Sequence, residues 1–370
     1  MVEFGKISLS APTISEADGS TEILYPQEAR LRNLTYAAPL YVEMRKITKL
    51  PVTDFSRRVE DPVSKGDRSS AEWVTEDDSI PFQRVLLGRM PIMLKSKYCS
   101  LADKRDTDAV KAGECPYDQG GYFIITGSEK VLIAQERMST NYVYVFMKSA
   151  PAAFSYSAEI RSQAERGSKH MSSLMVKLLA PRTGERGAAG QPVRTSLPYI
   201  KSDIPAFIVF RALGVTSDET ITNYITGGVH DEPLIAMLRA SMEEGSQCCE
   251  RDECLEYIGR RAINRLPTRE RRIRYAADIL QREFLPHIGN SKGLEEEKAR
   301  FFGYTVRRLI GASLGRWSVD DRDHFGKKRL DLAGPLLCSI FKSLFKKLTK
   351  EMYKYLLKAV ESNREFNFHT

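Results

Sequence analysis

The stretch DDRDHFGKKRLDLAG, residues 320–334, holds the densest mixture of metal-ligand and charge chemistry in the chain. Asp320, Asp321, Asp323 and His324 offer hard carboxylate oxygens and an imidazole, a donor set suited to a divalent cation. Lys327, Lys328 and Arg329 follow within a few positions, and cations so close pair with the carboxylates rather than tolerate a second positive ion. An internal ion-pair hinge is the favoured reading, with a nucleic-acid contact second and a metal site last.

A second stretch, GRRAINRLPTRERRIR at 259–274, sets Arg260, Arg261, Arg265, Arg269, Arg271, Arg272 and Arg274 against Glu270. It is either a solvated helix face or a docking patch for phosphates or an acidic protein. A third, GGYFIITGSEKVLIAQE at 120–136, places Glu129 and Lys130 in a short turn between two apolar runs. Tyr122–Ile125 and Val131–Ala134 read as buried strands flanking that turn. No G-x-S-x-G, H-E-x-x-H or G-x-x-x-x-G-K-[ST] pattern occurs, which lowers the odds of an enzyme. The six cysteines include no C-x-x-C pair, so they are expected as free thiols in a reducing compartment rather than as zinc ligands. Three glycines in RTGERGAAGQ lack the strand-to-helix context of a phosphate loop and read as a hairpin tip.

These residues need elements to position them. A short helical turn in YPQEARLRNLTY leads into an alternating strand, Leu40 to Met44, with Pro39 at its start. Residues 53–81 are polar and aperiodic, a surface loop. RVLLGRMPIML reads as a strand pair around Gly88, and Leu101–Ala112 as a polar helical segment. YVYVFM, SLMVKLLA and TSLPYI continue as strands, DIPAFIVFRALG is an apolar segment, and residues 215–315 are short helices. Helices are expected to start at Ser217-Asp218-Glu219 and Thr268-Arg269-Glu270 and to stop at Gly227-Gly228 and Gly289. A long final helix carries Leu337, Phe341, Leu344, Leu348, Met352 and Leu356 on one face. Lys342, Lys346, Lys350, Lys354 and Lys358 form a ladder on the other. The ending NREFNFHT lacks a closing element and looks like a cut.

At 370 residues two domains are expected, and the pattern is α+β. No run is long enough to span a membrane and the N-terminus has no secretory pattern, so a cytosolic or nuclear address follows. The net charge of +8 and pI near 9.0 favour an anionic partner.

YPQEARLRNLTYAAPLYVEM, LGRMPIMLKSKYCSL, ECPYDQGGYFIITGSEKVLIAQER, LPYIKSDIPAFIVFRALG and DDRDHFGKKRLDLAGPLL together resemble the family of second-largest, beta-like subunits of eukaryotic RNA polymerase II. The resemblance runs through essentially the whole chain in the expected order. One departure is Thr126, where the family usually has Asn before Gly-Ser-Glu-Lys. The family's subunit is about three times longer, so the resemblance implies an N-terminal portion.

It further implies two mixed domains. A discontinuous, strand-rich protrusion comprises residues 1–138 and a returning helical segment at 326–370. A lobe of strands followed by helices is inserted at 139–325. Together they would wall one side of the DNA cleft during mRNA synthesis and dock other polymerase subunits and general transcription factors such as IIF, in the nucleus. The resemblance places Lys130, Gln135, Arg137, Asp323 and Lys328 toward DNA and the RNA–DNA hybrid, with Glu129 in an orienting ion pair. No catalytic or metal-binding residue is expected in residues 1–370. The nucleotidyltransferase centre and its Mg belong to the complete polymerase. The competing reading is an interaction module that binds an acidic protein through Arg260–Arg274 without nucleic acid.

Overall fold

A computed structural model of the chain describes residues 2–47, 49–51, 73–75, 81–102, 104, 106–149, 151–164, 171–180, 191–264 and 267–362. The chain divides into two compact units, residues 1–134 with 344–370, and residues 135–343. Both mix strands and helices, and the class is α+β.

In chain order, the first unit contains β1 (Val2–Leu9), β2 (Thr13–Ser15), β3 (Thr21–Ile23), α1 (Pro26–Leu31), β4 (Ala37–Lys46), β5 (Lys49–Pro51), β6 (Trp73–Thr75), β7 (Gln83–Pro91), α2 (Asp106–Lys111), β8 (Phe123–Ile125) and β9 (Ser128–Lys130). Its main sheet is antiparallel, in the order β1-β4-β7. β7 is one continuous strand rather than a pair. Leu40 pairs with Gly88 and Tyr41 with Leu86, leaving Leu87 extra, so Gly88 marks a bulge where a turn was expected. β5 pairs with β6, which puts a strand inside the expected loop at 53–81; residues 53–72 and 76–80 lie outside the described residues. A small core of Leu24, Ala29, Tyr36, Ala38, Ile92, Leu94, Cys99, Leu101 and Ile124 lies under α1. Tyr36 is fully buried, and its hydroxyl bonds Ser100 Oγ at 2.8 Å, as burial of a phenol requires.

The second unit contains β10 (Gln135–Met138), β11 (Val143–Met147), β12 (Phe154–Ser162), β13 (Ser172–Leu179), β14 (Val193–Ser196), β15 (Ile204–Pro205), α3 (Ala206–Ala212), α4 (Asp218–Thr226), α5 (Glu232–Gly245), α6 (Arg251–Arg260), α7 (Arg269–Arg282), α8 (Glu295–Ser313) and β16 (Lys328–Asp331). β11 to β15 form one antiparallel meander in sequence order. The apolar residues of β12 and β13 alternate because one face is buried. α3 is buried on every side, and it is the apolar segment read from DIPAFIVFRALG. Phe207, Ile208, Val209 and Phe210 are fully buried, each contributing about 1.5–3 kcal/mol of apolar transfer. Phe210 packs on Phe302 of α8 with ring centroids 4.7 Å apart.

Thr268 caps α7, its hydroxyl accepting from Arg271 N–H, and Gly227 ends α4 in the left-handed region at φ 71°. Gly289 is not a stop, because α7 already ends at Arg282. The glycine-rich segment 181–190 lies outside the described residues.

α9 (Ala333–Glu361) begins in the second unit and ends in the first. Its covered face runs through Leu337, Phe341, Phe345, Met352, Leu356 and Ala359, whereas Leu344 is 60% exposed and Leu348 38%. Steps of four residues overshoot a full turn by about 40°, so a stripe that advances by fours passes from Phe341 to Phe345 and leaves Leu344 outside it. Phe345 meets Phe4 edge-on, centroids 5.7 Å apart. The lysine ladder is exposed.

Candidate nucleic-acid interface

The β8–β9 hairpin pairs Phe123 with Lys130, Ile124 with Glu129 and Ile125 with Ser128, leaving Thr126-Gly127 as a two-residue turn. Both turn residues have positive φ, 49° and 77°, the requirement of a type I′ turn. The turn is clamped to the end of α1. Gly127 N–H donates to Leu34 O at 3.0 Å and Thr126 N–H to Thr35 Oγ1 at 3.1 Å. A Cβ on Gly127 would lie 2.6 Å from Asn33 Oδ1 and 3.1 Å from Arg30 O.

Ser128-Glu129-Lys130 is therefore a strand rather than a turn. Val131–Ile133, expected as its buried continuation, is exposed and outside any strand, with Val131 at 67% and Ile133 at 74%. The short β9 ends at Lys130, so the apolar run lies beyond the strand.

Glu129 and Lys130 part company. Arg30 on α1 donates from Nε to Glu129 Oε1 at 2.7 Å, from Nη1 to both oxygens of the buried Glu114 at 3.0 Å, and from Nη2 to Tyr122 Oη at 2.8 Å. Tyr122 in turn donates to Asp118 Oδ2 at 2.5 Å. Burial, then the hydrogen bond to Asp118, pushes the Tyr122 phenol above its ordinary value. Burial raises Asp118, but hydrogen bonds from Tyr122 and Gly120 N–H, with the charges of Lys95 and Arg30, outweigh it and hold the carboxyl below its ordinary 3.8. Lys130 is exposed and has no ion-pair partner among the described residues. The ion pair that Glu129 forms is with Arg30.

Gln135, Arg137 and Lys328 meet on the antiparallel ribbon β10–β16, in which Gln135 faces Asp331 and Met138 faces Lys328. Arg137 Nε donates to Asp331 Oδ2 at 2.7 Å, and Lys328 Nζ to Glu136 Oε1 at 2.7 Å. Side chains alternate across a strand, so Gln135, Arg137, Arg329 and Asp331 share one face while Glu136, Met138, Lys328 and Leu330 share the other. Arg137 and Lys328 thus lie on opposite sides of the ribbon. The hydrogen bond to Glu136 raises the Lys328 pKa. Lys130 belongs to the first unit and the other four residues to the second.

Asp320 organises the segment leading into this ribbon. Its backbone N–H donates to Val145 O and its Oδ2 accepts from Val145 N–H, both at 2.8 Å, and the buried carboxylate also takes Lys327 Nζ and Arg308 Nη2. The hydrogen bond to Asp320 raises the Lys327 pKa. Arg322 lies over the Phe146 ring, 3.6 Å from its centroid, and donates to Glu159. Asp321 Oδ1 accepts from Asp323 N–H and His324 Nδ1 from Gly326 N–H, turns that consume local acceptors. Asp323 is exposed. The Asp320 and Asp321 carboxylates thus take separate partners, Asp320 the side chains of Lys327 and Arg308 with Val145 N–H, and Asp321 the N–H of Asp323.

The arginine-rich stretch is the end of α6, a connection and the start of α7. Glu256, one turn back on α6, accepts from Arg260 at 2.7 Å, Arg269 at 2.9 Å and Arg272 at 3.1 Å. Hydrogen bonds from Arg260 and Arg272 hold its carboxyl below the ordinary 4.5. Arg261 stacks on Tyr257, 3.4 Å from the ring centroid, and donates to Tyr257 O. Arg271 and Arg274 are exposed, and Arg265 lies outside the described residues. Arg30 and Glu256 went unremarked in the sequence because their partners come from other elements. Glu256 carried one available signal, its i,i+4 spacing to Arg260.

The sequence matches the RNA polymerase beta subunit family across residues 1–370. It is 51% identical over 366 residues to DNA-directed RNA polymerase II subunit RPB2 of Schizosaccharomyces pombe and 47% identical over 366 residues to DNA-directed RNA polymerase II subunit 2 of Arabidopsis thaliana. Each alignment covers 99% of this chain and 29% of the relative. It is 34% identical over 342 residues to DNA-directed RNA polymerase subunit Rpo2 of Saccharolobus solfataricus, covering 92% of this chain and 26% of the relative. The chain thus spans less than a third of the length of these curated relatives.

Proposed function

The chain belongs to the RNA polymerase beta subunit family, and on that premise we propose that it forms the protrusion and lobe of the second-largest subunit of RNA polymerase II, one wall of the DNA cleft in DNA-templated mRNA synthesis. The observation that carries this reading is identity near one half over 99% of the chain with RNA polymerase II subunits of a fungus and a plant. The proposed protrusion, residues 1–138 with 326–370, contains the first compact unit, and the proposed lobe, residues 139–325, falls within the second. The address is nuclear, and the partners are other polymerase II subunits and general transcription factors such as IIF. Nucleotidyl transfer, with its Mg, belongs to residues outside 1–370, and the chain alone is expected to make no RNA.

On this reading each residue has a part. Lys130 offers a point charge to a phosphate of DNA or of the RNA–DNA hybrid without reading sequence, while Arg30 holds Glu129 so that it does not neutralise Lys130. Arg137 and Lys328, each tied to a carboxylate, fix the ribbon that presents Gln135, and Asp323 sits on the hinge before it.

Titration of a fluorescent duplex and an RNA–DNA hybrid with the chain tests this. Affinity is expected to fall log-linearly with salt, and Lys130→Ala to weaken binding and lower the slope by about 0.9 if one phosphate contact is lost. Absence of binding at low salt, or a slope indifferent to Lys130→Ala, removes the nucleic-acid role. The competing reading, an acidic-protein module, predicts protein capture with no duplex affinity.

A further inference from the structure

The cleft between the end of α6 and the start of α7 is lined by Lys201, Arg260, Arg261, Asn264, Pro267 and Arg272. We propose that it binds the phosphoryl group of a phosphorylated serine or threonine on a partner protein. The proposal rests on the docking role given above and supplies the chemistry of one partner.

The walls are set by backbone. Lys201 N–H donates to Arg261 O at 2.9 Å, and Ile200 bridges to Ala262. Gly259 lets the two helices close, since a Cβ there would sit 2.5 Å from Arg272 O. Within that frame Glu256 is shared by Arg260, Arg269 and Arg272, so one carboxylate faces three guanidinium groups. Adding Lys201 and Arg261 brings the cluster to five cations and one anion.

Hydrogen-bonding capacity remains. Arg260 uses Nε and Nη2 on Glu256, and Arg261 uses Nη1 on Tyr257 O. Arg260 Nη1, Arg261 Nη2 and Lys201 Nζ have no partner among the described residues. Guanidinium forks and an ammonium lining one open cleft suit a tetrahedral oxyanion. A phosphomonoester brings a charge of about −1.5 to −2 and three acceptor oxygens, where a single carboxylate would offset far less of the excess. A nucleic-acid strand needs cations spread along a track, whereas these line a single cleft.

The test uses the chain, a fluorescein-labelled Gly/Ala peptide with one phosphoserine, and the same peptide with Ser or Glu at that position. The pair Lys201→Gln with Arg261→Gln is compared with a charge-matched control, Arg271→Gln with Arg274→Gln. The cleft pair should weaken phosphopeptide binding at least tenfold and the control less than twofold. Inorganic phosphate should compete, and the Ser and Glu peptides should bind at least tenfold more weakly. Equal losses in both pairs, a Glu peptide binding as well as the phosphopeptide, or a short single-stranded oligonucleotide preferred over it and lost in the cleft pair would each overturn the proposal. If the pair melts below wild type, Lys201→Glu at an exposed side chain carries the same comparison. Duplex binding measured on the same variants separates the two readings: a failed cleft with intact duplex binding leaves the polymerase assignment standing.

Discussion

At the scale of single residues, Arg30 shows how one side chain can hold a region together. It serves two carboxylates and a phenol, and Glu114, only 5% exposed, depends on it. Arg30→Met leaves that carboxylate buried and unpaired, and a loss of about 3 kcal/mol in denaturant unfolding is expected, the low end for a broken buried pair because Arg30 keeps some solvent access. Glu114→Gln added to Arg30→Met should recover part of it. Thr126 is a β-branched residue at positive φ, where Asn is better tolerated, so Thr126→Asn should stabilise by roughly 0.5–1 kcal/mol. Gly127→Ala should destabilise strongly, through its φ and the collision with Asn33. Glu256 makes a pH prediction. Its folded pKa lies below 4.5, so its contribution is present above about pH 4.5 and disappears as pH falls through the folded value. Wild type should therefore melt above Glu256→Gln at pH 6, with the gap closing toward pH 3; a gap constant with pH refutes the linkage.

Helices and strands in this chain are tuned by close approach as much as by propensity. Gly303 lies inside α8, where Ala would ordinarily gain about 1 kcal/mol in helix propensity. Its Cβ, however, would lie 2.7 Å from Tyr224 O and 2.8 Å from Tyr224 C on α4, backbone that cannot swing aside. Gly303→Ala is therefore expected to lower stability, by about 1–2 kcal/mol net, and a melting temperature that rises instead contradicts the packing argument. β10–β16 illustrates the strand counterpart. Arg137 and Asp331 are 194 positions apart, yet the ladder sets them diagonally across one face.

For the molecule as a whole, two cores imply two cooperative units. The second contains a contiguous cluster from Val143 to Ala312, and the first has the smaller cluster around Tyr36 and Leu94. Calorimetry is expected to resolve two transitions, with Phe302→Ala lowering only the second unit's and Leu94→Ala only the first's, each costing about 2–5 kcal/mol. One transition shifted by both substitutions would show that the units unfold together.

Several features were legible in the sequence because they depend on local pattern or bulk composition. The α+β class, the buried α3, three of the meander's five strands (β11, β13 and β14) and the long α9 with its exposed lysines follow from periodicity and charge, whereas β12 went unread. Gly227 and Thr268 marked helix ends because their conformational preferences are local. Only the tertiary structure decided which charges meet. Glu129 adjoins Lys130 in the chain but binds Arg30, and Arg260, Arg269 and Arg272 of the arginine stretch share Glu256, which lies outside it. Val131–Ile133 is apolar yet exposed, since hydrophobicity states a preference for cover without specifying what supplies it. Leu344 yields its place to Phe345 because the covered stripe drifts around α9 faster than the apolar pattern suggests. Ion pairs and cover are properties of distances in space, and a linear pattern encodes them only where neighbours along the chain are also neighbours in the fold.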